Sequence, residues 1–143
     1  MNLSKNFTLQ ELTRTNTGIP NIPNLEQISK LADLVTKILQ PLRDLYGNPI
    51  TVTSGYRSLA VNTKIGGASS SQHTKGEAAD IKGFDNALLF KLIKDNFLFD
   101  QLIWEFGNEK QPDWVHVSFK NGKNRKQILK AVKVGKSTKY LPM

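Results

Sequence analysis

The chain has 143 residues, 38% of them hydrophobic and 22% charged, and a formal net charge of +8. That length suits one domain over residues 1–143, able to bury a core without covalent staples. The complete lack of cysteine excludes disulfides, thiolate metal ligands and a cysteine nucleophile, and no apolar run is long enough to span a membrane.

Thr8-Leu9-Gln10-Glu11 reads as a capping box opening a short helix. A loop punctuated by Pro20 and Pro23 follows. Asn24, with Gln27 at the capping-box partner position, opens a second helix. Its apolar residues Ile28, Leu31, Val35, Ile38, Leu42 and Leu45 alternate spacings of three and four, one stripe of an amphipathic helix. Pro41 lies inside the stripe and predicts a kink or break near Gln40. Gly47-Asn48-Pro49 turns the chain into a β-branched strand, Ile50 to Thr53, with Ser54-Gly55-Tyr56-Arg57-Ser58 as the loop at its end. A short helix is expected from about Leu59 to Ile65, stopped by Gly66-Gly67. Ala78 to Lys82 reads as a strand with Ala78, Asp80 and Lys82 on one face and Ala79 and Ile81 on the other. Asp85 caps a helix running through Leu88, Leu89 and Leu92 to about Asn96. Gln101 to Phe106 and Trp114 to Phe119 read as consecutive antiparallel strands, joined by a polar loop ending at Pro112. A last strand is expected in Ile128 to Val134, with a tail from Gly135 onward. Helices followed by mostly antiparallel strands make an α+β fold.

The two histidines, His73 and His116, are the only ones in the chain, and each lies in a short segment with a carboxylate close by. A transition metal takes neutral imidazole nitrogens and an anionic oxygen, which His73, His116 and Asp80 supply. Three protein ligands leave a fourth tetrahedral position for water, as in catalytic rather than structural zinc sites. Gly76 permits the tight turn between His73 and Asp80. In the later segment Trp114, His116 and Ser118 share a strand face, opposite the apolar Val115, Val117 and Phe119. The residues therefore point to a zinc hydrolase.

Ser71-x-His73-x-x-Gly76-x-Ala78-x-Asp80 resembles the SxHxxGxAxD signature of the D-Ala-D-Ala carboxypeptidase-like zinc peptidases. That group is similar in fold to the lysostaphin-type peptidases and the hedgehog signalling domain. Ser54-Gly55-Tyr56-Arg57-Ser58 resembles the family's SGYRS segment, and Asp113-x-x-His116 its second motif. Further likeness in Phe7 to Leu12, Gln40 to Arg43 and Phe99 to Ile103 extends it over nearly the whole chain, most like the short members of phages and prophages.

The resemblance implies Zn2+ held by His73, Asp80 and His116, and a general base three positions before the second histidine, Asp113. Residues three apart in a regular strand face opposite ways, so Asp113 requires a bend or bulge at Pro112. Glu105, in the neighbouring strand, is the reserve candidate. Arg57 is the natural electrophile, able to stabilise an oxyanion or clamp a substrate carboxylate. Ser71, Gln72, Tyr56 and Trp114 are the candidate substrate contacts.

The implied substrate is the peptide part of bacterial peptidoglycan, cut by a carboxypeptidase or endopeptidase, as an endolysin or a tail-associated enzyme. A metal-binding but non-catalytic protein of the same fold is the alternative. Met1-Asn2-Leu3-Ser4-Lys5-Asn6 opens no signal peptide. The expectation is therefore a monomer made in the cytoplasm, reaching the wall after lysis, by holin release or on a phage particle. The late basic run (Lys120, Lys123, Arg125, Lys126, Lys130, Lys133, Lys136 and Lys139) is a solvated face or an attraction to an anionic wall. No nucleic-acid-binding signature accompanies it, so no specific nucleic acid is expected.

Overall fold

The computed structural model describes residues 1–143. Helix α1 (Leu9–Thr13) opens on Thr8, whose hydroxyl accepts from the Glu11 N–H while the Glu11 carboxylate accepts from the Thr8 N–H. The same reciprocal cap, Asn24 with Gln27, opens α2 (Leu25–Leu34). The helix does not break at the proline. Val35–Leu39 forms a π-turn that runs straight into α3 (Gln40–Tyr46), with Pro41 in its first turn. The Gln40 N–H reaches back to the Val35 carbonyl, and this wider turn makes room for a ring that cannot donate to the ladder. Gly47 ends α3 in the left-handed conformation (φ 73°).

The remaining elements are β1 (Thr51–Ser54), α4 (Leu59–Lys64), a 3₁₀ turn at Gln72–Lys75, β2 (Ala78–Lys82), α5 (Asn86–Asn96), β3 (Gln101–Glu105), β4 (Trp114–Ser118), β5 (Gln127–Val134) and β6 (Ser137–Pro142). The strands form one six-stranded sheet in the order β1-β2-β4-β3-β5-β6. Only β3 and β5 are parallel; the other neighbours are antiparallel. The fold is α+β. The expected tail is instead a strand: β6 pairs with β5 from Val134↔Ser137 to Leu129↔Pro142. All six of its residues are exposed, so the apolar alternation that betrays a half-buried strand is missing.

One face of the sheet carries Ala79, Ile81, Leu102, Trp104, Val115 and Val117 into a continuous core with Leu31, Leu34, Ile38, Leu42, Leu89 and Ile93 from the helices. Strand alternation then sends Asp80, His116, Ile103 and Glu105 to the opposite face. No helix is long and apolar enough to cross a membrane.

Asp100 is fully buried at the start of β3. It accepts from Arg125 Nε at 3.0 Å, Arg125 Nη2 at 2.7 Å, the Arg125 backbone N–H at 3.1 Å and Gln72 Nε2 at 2.7 Å. These bonds outweigh burial and hold its carboxyl down to about 2. Because the folded pKa is depressed, this stabilisation is complete above the unfolded value near 3.8 and is lost as pH falls toward 2. Asp100→Ala should cost about 3 kcal/mol near neutral pH by thermal unfolding. The melting-temperature gap between wild type and Asp100→Asn should shrink as pH is lowered from about 5 toward 2.

Candidate metal centre

Register brings the first two donors together. Asp80 in β2 lies directly across from His116 in β4, and His116 Nδ1 is 3.0 Å from Asp80 Oδ1. The third donor comes from the 3₁₀ turn before β2. Ser71 caps this turn, its hydroxyl accepting from the His73 N–H. Gly76 ends it at φ 78°, where a Cβ would lie 2.7 Å from the Gln27 carbonyl, so both conformation and space require glycine. His73 Nε2 then stands 3.3 Å from the same Asp80 Oδ1. The donor atoms of His73, Asp80 and His116 all lie within 4.8 Å of one another, and all three residues are buried.

The lone pairs fit a cation. His73 Nδ1 lies 2.7 Å from the Gly55 carbonyl, which only accepts, so Nδ1 carries the proton and Nε2 is the bare donor. A bare nitrogen facing a carboxylate oxygen is repulsive unless positive charge stands between them. Tetrahedral zinc with bonds of ~2.0–2.1 Å holds its ligand atoms roughly 3.3 Å apart, close to the separations of 3.0 and 3.3 Å found here. With Nδ1 as the donor, His116 Nε2 is left to carry the proton; it is buried with no partner in the protein.

Gly55 is fixed by proximity. A Cβ there would lie 2.3 Å from the Leu12 carbonyl, the acceptor for the Tyr56 N–H. Arg57 follows, its backbone N–H donating to the His73 carbonyl. Its guanidinium donates from Nε to Ser54 Oγ at 3.0 Å, from Nη1 to Asn62 Oδ1 at 3.3 Å and from Nη2 to Asp80 Oδ2 at 3.4 Å. Arg57 thus holds one Asp80 oxygen while the other faces the imidazoles. Burial opposes the charge on Asp80, but His73 and His116 overcome it and keep the carboxyl well below its usual range.

The donors open into a cleft of about 980 Å³ that also takes in Arg57, Ser71, Gln72, Glu105 and Trp114. Glu105 is buried beside it, and burial is the largest effect raising its carboxyl, to about 7, with His116 opposing. The structure does not bring Asp113 into this cleft. Asp113 is exposed in the residue just before β4, its N–H donating to the Glu105 carbonyl, and it is not among the residues that line the cleft. Tyr56 does not line the cleft either; it belongs to the core cluster. Sequence reasoning missed Asn62, which holds Arg57, and the cleft wall from β5 and β6 that includes Lys133 and Tyr140. No local motif marks these residues; helix α4 places Asn62, and strand pairing places the others.

Two imidazoles and a carboxylate, with a buried acid and a guanidinium alongside, define a mononuclear metallohydrolase site. Residues 5–118 match the family described as peptidase M15, and the chain belongs to that family. It is also similar to the zinc D-Ala-D-Ala carboxypeptidase of Streptomyces albus G, with 41% identity over 78 residues. That alignment spans 53% of this chain but only 31% of the relative.

Loss of either imidazole should abolish metal retention. Zinc affinity of His73→Ala and His116→Ala, measured by chelator competition, should drop more than about a hundredfold. Arg57→Ala removes only an outer partner and should lose about 10- to 100-fold. Stoichiometric zinc in either histidine variant after dialysis contradicts the assignment.

Proposed function

We propose that this chain is a zinc-dependent peptidase hydrolysing amide bonds in the peptide part of bacterial peptidoglycan. The observation that carries the reading is the convergence of His73 Nε2, Asp80 Oδ1 and His116 Nδ1 at the head of one cleft. Family membership and the D-Ala-D-Ala carboxypeptidase activity for which the Streptomyces relative is named support the substrate class. Delivery to the wall by a lysing cell or a phage particle belongs to the same proposal, on the likeness of the motif set to the short phage and prophage members.

His73, Asp80 and His116 are the residues that would hold the ion. Zinc, when bound, supplies Lewis-acid polarisation of the scissile carbonyl and water of lowered pKa. Glu105 is the proposed general base: it lines the cleft, is shielded from solvent and pairs in register with Trp114 on the His116 strand. It takes the proton from the attacking water and passes it to the leaving amine. Three of the five Arg57 N–H groups are occupied by Ser54, Asn62 and Asp80. The remainder are available to a developing oxyanion or a substrate carboxylate. Ser71 acts chiefly through the turn it caps, while Gln72 and Trp114 are the proposed substrate contacts.

Digestion of purified peptidoglycan, with mass spectrometry of the products, tests the reading. Zinc-loaded protein should release peptide fragments with new amine or carboxyl ends; intact wall after prolonged incubation contradicts it. Glu105→Gln should keep its zinc and lose about 100-fold or more in turnover, while Asp113→Asn stays near wild type. The reverse pattern would return the base to Asp113.

A further inference from the structure

We propose that Tyr140, carried on the C-terminal hairpin, contacts substrate in the metal cleft and donates a phenolic hydrogen bond to a substrate oxygen on the Glu105 side. This rests on the peptidase reading of the cleft. The hairpin of β5 and β6 lies wholly beyond residues 5–118, the part matched to the family.

Register places the residue. Trp114 pairs with Glu105, Glu105 with Ala131, and Ala131 with Tyr140. Residues paired across neighbouring strands present their side chains on the same face. The row Trp114–Glu105–Ala131–Tyr140 therefore runs across the cleft face, and Trp114, Glu105 and Tyr140 line the cleft. Only the Ala131 methyl separates the acid from the phenol. Two strand spacings, about 10 Å, are within the combined reach of an extended tyrosine and glutamate. Ala131 is fully buried although β6 beyond it is exposed throughout.

The core does not account for the aromatic ring. Tyr140 is 51% exposed and outside the core cluster. Its strand is held by the ladder to β5. Burial first, then the charges of Glu105 and Asp80, raise the phenol's pKa against the pull of Arg57. It therefore stays protonated at neutral pH, able to donate to a carbonyl oxygen as that oxygen gains negative charge. The proton remains on the phenol throughout, so this contact adds no transfer step to the work of Glu105.

The test compares zinc-loaded full-length wild type with Tyr140→Phe on soluble peptidoglycan fragments. The variant should keep its zinc content and melting temperature and lose about 10- to 100-fold in kcat/KM, mainly through kcat. A loss below about fivefold overturns the inference while leaving an active peptidase in place; an inactive wild type overturns the peptidase reading itself and the substrate contact with it. A readout without turnover checks the juxtaposition. With the tyrosines labelled at the ring Cζ with carbon-13, the Tyr140 resonance, assigned by its loss in Tyr140→Phe, should titrate at lower pH in Glu105→Gln. Titration unchanged by removal of that negative neighbour contradicts the placement.

Discussion

The site is organised by the two oxygens of the Asp80 carboxylate. One is shared between His73 Nε2 and His116 Nδ1, at 3.3 and 3.0 Å; the other faces the Arg57 guanidinium at 3.4 Å. A carboxylate this deeply buried is costly unless its charge is met. Here three positively polarised or metal-seeking groups meet it, each anchored elsewhere. His73 is tied to the Gly55 carbonyl, Arg57 to Ser54 and Asn62, and His116 to the strand ladder. The loops between β1 and β2 therefore exist in their observed form largely to bring an imidazole and a guanidinium onto one acid.

The sheet supplies the rigid part of that arrangement. Ala79 and Ile81 on β2, with Val115 and Val117 on β4, are fixed in the core by the helices. Their packing sets the parity that sends Asp80 and His116 to the other face. A slip of one residue in either strand would bury a charge among aliphatic side chains and dismantle the donor set together. The next row holds Glu105, kept from solvent and shifted toward neutrality, where a carboxyl can serve as either acid or base. Gln72 ties the histidine turn to Asp100 and thereby to Arg125, so the stability of the β3 entrance and the placement of His73 are mechanically joined.

Much of this was legible wherever the signal is local. Both capping boxes, the Asp85 cap and the alternation of Ala79 and Ile81 against Asp80 depend on residues within a few positions of one another. The unusual signature around His73 and Asp80 was likewise readable. What escaped depends on partners distant in sequence. Pro41 predicted a kink or a break near Gln40; the chain there leaves regular α-geometry for a π-turn without breaking, with Ile38, Leu39 and Leu42 packed into the core. β6 has no buried face to write an apolar pattern. The expectation for Asp113 followed motif spacing, whereas the residue lies exposed outside the cleft and the reserve candidate Glu105, brought in by the pairing of β3 with β4, lines it. Tyr56, read as a loop aromatic near the site, packs inward because its backbone is held against Leu12 and Asn21.

The central claim is that one divalent ion sits where Asp80 Oδ1 and the two imidazole nitrogens face each other. Anomalous diffraction from zinc-soaked crystals, collected on both sides of the zinc absorption edge, addresses it most directly. A single strong peak within about 2.0–2.2 Å of His73 Nε2, Asp80 Oδ1 and His116 Nδ1 is the predicted result. A map with no peak among these atoms, or with His73 and Asp80 joined by a proton while zinc binds elsewhere, would contradict the account.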